Sequence, residues 1–184
     1  MEFVEWPKIG RLFREVIVTE KLDGTNAAVH VDDDCNVVGV QSRTRFITPQ
    51  DDNYGFAAYV YNNVHNFAQL GPGVHHGEWA GKGIQKLYKT ATDRKFWLFN
   101  ARRWTLEVLP GDIDVVPTLY DGTYYECLIE ETLKDLEVNG SLAYPGCEAE
   151  GIVVYWPQSR QSFKVTLKND GQPKGHGKDQ KGIR

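Results

Sequence analysis

Glu20-Lys21-Leu22-Asp23-Gly24-Thr25-Asn26 lies between two segments rich in β-branched residues, 16–21 and 26–31. A strand, a turn at Asp23-Gly24 and a second strand follow from that pattern, with Lys21 at the first strand's end. A lysine acts as a nucleophile only when its amine is neutral, which takes burial or nearby cations. A strand end opening into a cleft supplies such a setting, and Gly24 permits the tight turn that keeps the amine accessible. Asp23 is suited to orienting the amine or helping to hold a metal. Taken alone, K-x-D-G fits a surface ion pair beside a hairpin turn better than it fits a nucleophile.

Outward from this string, residues 37–42 form a third strand after a turn at Asp32-Asp33-Asp34. Residues 55–70 read as a helix with Phe56, Val60, Val64 and Phe67 on one face. Extended segments follow at 74–79, 96–100 and 114–118. A second helix runs from Thr123 to about Glu137, with Cys127, Leu128, Leu133 and Leu136 inward, and stops near Asn139-Gly140. The chain closes with a hairpin of 151–156 and 162–168. Mostly antiparallel strands with a few covering helices make an α+β domain over residues 1–168. Residues 169–184, nearly devoid of apolar side chains, read as a flexible basic tail.

The 184 residues suit one domain with a sizeable core. Hydrophobic residues at 41% and charged residues at 25% exclude a disordered chain. No apolar run approaches the roughly 20 residues that cross a bilayer, and no signal peptide is visible, so the reading is cytosolic. Cys35, Cys127 and Cys147 are scattered and contain no CxxC pair, which reads as reduced bystanders. A net charge of −4 argues against a simple basic patch. The charge is uneven, however: residues 82–103 hold seven basic side chains against Asp93, whereas residues 107–150 hold eleven acids and only Lys134. One face could meet a polyanion while the rest stays acidic, although a solvated uneven surface is the simpler reading. His75-His76 lacks ligand partners at metal spacing, Asp32-Asp34 reads as a solvated turn, and no P-loop or G-x-G-x-x-G string is present.

The chemistry-bearing residues are spread along the chain. Gln41-Ser42-Arg43-Thr44-Arg45 ends a strand with two arginines at alternate positions, expected on one face and suited to forked phosphate contacts. Gly77-Glu78-Trp79 ends another with a carboxylate able to accept from ribose hydroxyls. Lys95-Phe96-Trp97-Leu98-Phe99-Asn100 offers aromatics for stacking on a purine. Glu150-Gly151-Ile152-Val153-Val154 opens the closing hairpin, and Lys164 and Lys168 on its return strand are expected to share a face. Each has a plain alternative: solvated acids, core aromatics, exposed edge lysines.

The ordered set resembles the motif series of the covalent nucleotidyltransferase superfamily, which comprises ATP-dependent DNA ligases, RNA ligases and mRNA capping enzymes. Lys21 to Gly24 is similar to its motif I, Ser42-Arg43-Thr44 to motif Ia and Gly77-Glu78-Trp79 to motif III. Phe96 to Arg103 resembles motif IIIa, Glu150 to Val153 motif IV, and Phe163 to Lys168 motif V. The resemblance implies a nucleotidyltransferase (ATP-grasp-like ligase) domain in which Lys21 attacks the α-phosphate of ATP to form lysyl-AMP. It implies catalytic roles for Lys21, Asp23 and Lys164, and a divalent cation, Mg2+ or Mn2+, on Glu150. Nucleotide contacts fall on Glu20, Asn26, Arg43, Glu78, Phe99, Lys164 and Lys168, with Trp97 second to Phe99 for stacking. Nucleic-acid contacts fall on Arg43, Arg45, Lys82 and Lys86. Motif V usually reads K-x-K, whereas here three residues, Val165-Thr166-Leu167, separate Lys164 from Lys168.

The form E-K-x-D-G-x-N resembles phage-type RNA ligases more than replicative DNA ligases. Only sixteen residues follow Lys168, too few for an OB-fold domain. The expected function is ATP-dependent sealing of RNA ends or nicked duplexes by a monomer, in the cytoplasm, without a membrane; a viral origin is the association this form carries. A DNA nick ligase, a GTP-using capping-type enzyme and a non-catalytic nucleotide or strand-end binding module remain open alternatives.

Overall fold

A computed structural model describes residues 1–104 and 109–168. The flexible tail expected over residues 169–184 lies outside the described residues. Among the described residues, nine strands and three helices run in the order β1 (Glu15–Lys21), β2 (Thr25–Val31), β3 (Val37–Ser42), α1 (Phe56–Asn62), α2 (Val64–Ala68), β4 (Gly73–Gly81) and β5 (Arg94–Leu98). Then come β6 (Ile113–Val115), β7 (Thr118–Thr123), α3 (Leu128–Asn139), β8 (Gly151–Trp156) and β9 (Gln161–Thr166). They make the α+β architecture expected from the strand pattern.

Two sheets divide the strands. One has the order β7-β1-β8-β9 and is antiparallel throughout. The other has the order β3-β2-β4-β5-β6, antiparallel except for the β5–β6 pair. β1 and β2 are therefore not a hairpin. They belong to different sheets, and the motif at residues 20–26 is the crossing between them.

Each sheet has one face covered by its own helices. α3 closes the four-stranded sheet, where Leu128 and Leu136 pack with Val16, Val18, Ile152 and Val154. α1 and α2 close the five-stranded sheet, where Phe56, Val60 and Phe67 pack with Val29, Trp79 and Phe96. A third cluster packs Leu22 of the crossing and the loop residues Tyr88, Val116, Tyr144 and Cys147 with Ala80 of β4 and Trp97 of β5. Among the described residues no helix is long and apolar enough to cross a membrane.

Three expectations need correction. The helix read over 55–70 is broken at Asn63 into two short ones, and Val64 is exposed. A side-chain bond from Asn63 Nδ2 to the Tyr59 carbonyl accompanies the break, an instance of an asparagine competing with helix continuation. The helix read from Thr123 begins at Leu128, because residues 118–123 extend into β7 against β1; Cys127 caps that helix and is exposed. Finally, β3 stops at Ser42, whose amide donates to the Arg45 carbonyl at 2.8 Å. Strand alternation therefore does not govern Arg43 and Arg45.

Candidate active site

Lys21 is the last residue of β1 and lies opposite Gly151, the first residue of β8. That pairing brings Glu150 alongside, and the Lys21 ammonium forms an ion pair with the Glu150 carboxylate. Both side chains are largely shielded from solvent. The crossing that follows is fastened residue by residue. Leu22 enters the central cluster. The Asp23 carboxylate accepts the amides of Lys86 and Leu87, each at 3.2 Å, while its own amide donates to the Tyr88 hydroxyl at 3.2 Å.

Gly24 is needed for closeness more than for the turn. A Cβ there would lie 2.5 Å from the Trp79 carbonyl oxygen, 2.8 Å from Glu78 Cγ and 2.9 Å from Ala80 Cβ. Only a residue with no side chain lets the crossing lie flat on β4. From there the Gly24 amide reaches the Glu78 carboxylate, as does Asn26 Nδ2 at 2.7 Å. Asn26 and Glu78 are directly paired across β2 and β4, on the face that the helices leave open.

Glu78 and Glu150 thus converge on one amine. Burial pushes the Glu78 carboxyl up to about 7, against the Asn26 hydrogen bond and the Lys21 charge, which pull it down; the Glu150 charge pushes it further up. Among the described residues no group of three or more His, Cys, Asp or Glu side chains forms a metal cage. The donor set does fit a hard cation held by one or two carboxylates and completed by substrate phosphates, which is how magnesium is commonly bound.

Glu20 points the other way. Its carboxylate accepts from the Ser141 hydroxyl at 2.5 Å and from the amides of Leu142 and Ala143 at 2.9 and 3.1 Å, and it is 1% exposed. Burial raises its pKa, with those three hydrogen bonds opposing the shift. The structure places this side chain as a clamp on the loop leading to Glu150, not in the cleft.

Of the two aromatics proposed for stacking, Trp97 is buried, with its indole donating to the Tyr144 hydroxyl at 3.1 Å, whereas Phe99 is 44% exposed just beyond β5. Arg43 is exposed in the turn after β3. Arg45 is held by Asp51 at 2.6 Å and by the carbonyls of Phe46 and Asp51. Lys82 and Lys86 are exposed on the loop whose backbone holds Asp23.

The closing lysines part company. Lys164 lies opposite Val153 on β9, on the same face as Lys21 and, by strand geometry, about 12 Å away. Lys168 falls after β9 has ended and pairs with Glu148 at 2.7 Å, which holds that carboxylate below its usual range. The two do not share a strand face, and the β8–β9 register is regular, without a bulge. Thr166 is the residue in the cross-strand row of Lys21 and Gly151. Tyr88, Ser141, Tyr144 and Thr166 were not singled out from the sequence, since none belongs to a local pattern.

Residues 14–168 match the sequence profile of the RNA ligase family, and the chain belongs to that family. No curated protein sequence matches it. Among solved structures, a Naegleria gruberi RNA ligase mutant with AMP and Mn is similar at a TM-score of 0.62 and 20% identity, over 84% of this chain and 50% of that one. A second mutant with AMP and Mn gives 0.61 and 22%, over 84% and 50%. An apo mutant gives 0.58 and 22%, over 83% and 49%. The likeness establishes the shared fold, and the chain spans about half the length of those ligases.

Two outcomes follow from the geometry. Gly24→Ala is expected to lower stability by about 1–3 kcal/mol, because backbone oxygen and two side chains stand where the methyl must go; a urea titration measures it. Glu78 binds a proton in the folded protein over a range where the unfolded chain, at 4.5, has lost it. Its contribution to stability is therefore complete below about 4.5 and lost as pH rises through about 7. Glu78→Gln is expected to be more stable than wild type at pH 8, by up to roughly 3 kcal/mol, and no more stable at pH 4.5.

Proposed function

We propose that this chain is the nucleotidyltransferase domain of an ATP-dependent RNA ligase. In the first step the Lys21 amine attacks the α-phosphate of ATP, forming an N–P bond while the bond to pyrophosphate breaks. The AMP then passes to a 5′-phosphate end, giving a 5′–5′ pyrophosphate and releasing the lysine. A 3′-hydroxyl finally displaces AMP and forms the phosphodiester. The observation that carries this reading is the single amine at the crossing, faced by two carboxylates and flanked by an open sheet face.

Attack requires the neutral amine, so the Lys21–Glu150 pair must open before reaction. A divalent cation on Glu150 would supply charge to stabilise the phosphate's transition state. Asp23 keeps the crossing fixed through Lys86 and Leu87, which holds the amine at the cleft. Glu78 and Asn26 form a polar floor suited to ribose hydroxyls, and Phe99 is the ring available for adenine. Lys164 faces the cleft side of its sheet and is suited to the α-phosphate. The Mn-bound and ATP- or AMP-bound Naegleria ligases support nucleotide and metal together as this chain's requirements. RNA ends or nicked duplexes are the proposed substrates, with Arg43, Lys82 and Lys86 as phosphate contacts.

Sealing assays separate the steps. Wild-type protein with ATP and Mg2+ is expected to join a 5′-phosphorylated RNA to a 3′-hydroxyl end. Lys21→Ala should lose this by at least about a thousandfold, yet still join a strand that already carries the 5′-adenylyl group. Equal loss on both substrates would contradict the assignment of Lys21 to the first step alone.

A further inference from the structure

The face of the five-stranded sheet that the helices leave open continues well beyond Asn26 and Glu78. One cross-strand row on it runs from Phe99 through His76 and Ala28 to Gln41 and Phe46. The Phe99 amide donates to the His76 carbonyl, His76 pairs with Ala28, Ala28 with Gln41, and Gln41 forms a β-bridge with Phe46. Four strand spacings separate the two phenylalanines, about 19 Å. A nucleotide stacked on Phe99 therefore cannot also touch Phe46.

Phe46 is 65% exposed, and single exposed apolar rings are ordinary. Its setting is what distinguishes it, because the backbone and ring are both held. The bridge to Gln41 fixes its strand position, and the next amide, of Ile47, donates to Val40 at 2.8 Å. Arg45 reaches over to the Phe46 carbonyl. The ring lies over Gly39, where a Cβ would come within 3.2 Å of Phe46 Cε1, and its centroid is 5.2 Å from that of His30. His30 in turn is tied to Gln41 at 2.6 Å. Arg43 stands exposed three residues earlier, in the same turn.

We propose that Phe46 and His30 form a stacking station for an unpaired base of the RNA strand, with Arg43 on the adjoining phosphate. The assignment rests on the ligase reading for its ligand. Three observations favour an RNA base over other occupants. The rings stand on an open sheet face, the arrangement on which single-stranded bases are commonly splayed and stacked. An arginine with a planar, phosphate-matching fork lies beside them. The row also leads without interruption to β4, the strand carrying Glu78.

The test uses Phe46→Ala and Phe46→Trp in the full chain. Anisotropy of a labelled, 5′-phosphorylated single-stranded RNA measures strand binding, and label transfer from α-labelled ATP measures lysine adenylylation. Phe46→Ala is expected to weaken RNA binding about tenfold or more, the scale of one lost base–aromatic stack, with adenylylation within twofold of wild type. Phe46→Trp is expected to restore binding. Unchanged binding in Phe46→Ala overturns the station. So does loss of adenylylation along with binding, which would mark Phe46 as structural, and so does a tryptophan variant no better than alanine. An equal loss on a fully paired duplex of the same sequence would place the contact on the backbone and likewise overturn it. Absence of adenylylation in every variant, with RNA binding still dependent on the ring, would sink the ligase reading while supporting the station.

Discussion

Leu22, Asp23 and Gly24 carry the chain from one sheet to the other, and each is packed or hydrogen-bonded in place, with Tyr88 and Ala80 shared among them. Everything at the site depends on that crossing. The Asp23 carboxylate binds two successive amides of the 82–89 loop, and Gly24 lies against the β4 backbone at a distance no side chain permits. One residue before Lys21, Glu20 binds the 141–143 loop from the opposite side. Lys21 is thus held between two buried carboxylates, each committed to backbone or hydroxyl donors. The amine itself is left to face the cleft.

The electrostatics follow from this division of labour. Glu20 and Asp23 are engaged by donors of their own, while Glu150 pairs with the amine and Glu78 interacts electrostatically with it. One ammonium faces two shielded carboxylates; burial is what chiefly raises Glu78 to about 7, and the Glu150 charge adds to that mismatch. Added positive charge between these acids would relieve the mismatch. A metal-bound nucleotide would be a ligand of that kind, with Glu150 as the residue to hold the cation and Lys21 to meet the phosphates.

Much of this was legible in the sequence because the decisive signals are local. The lysine at its strand end, the third strand and the closing hairpin follow from short patterns of β-branched residues and turn residues, whereas Glu78 and Glu150 stood out from solvated acids only through the motif resemblance. Order along the chain then linked them to one family, which no single motif could do. What escaped was long-range. Nothing in residues 16–31 tells that β1 and β2 join different sheets, because alternation is the same whether neighbours pair or diverge. The Glu20–Ser141 contact spans 121 positions and has no local signature. Arg43 and Arg45 were read with strand periodicity because Ser42 gives no sign that β3 ends there. Lys168 was read onto the face of Lys164 for the same reason, although β9 stops at Thr166.

The central claim is that Lys21 becomes covalently adenylylated at this crossing. Purified protein, first stripped of bound AMP with pyrophosphate, would be incubated with Mg2+ and α-labelled ATP or GTP and run on a denaturing gel beside Lys21→Ala. The account requires label from ATP in wild type and none in the alanine variant. Folded protein that takes no label from either nucleotide, or a Lys21→Ala chain labelled like wild type, would contradict it.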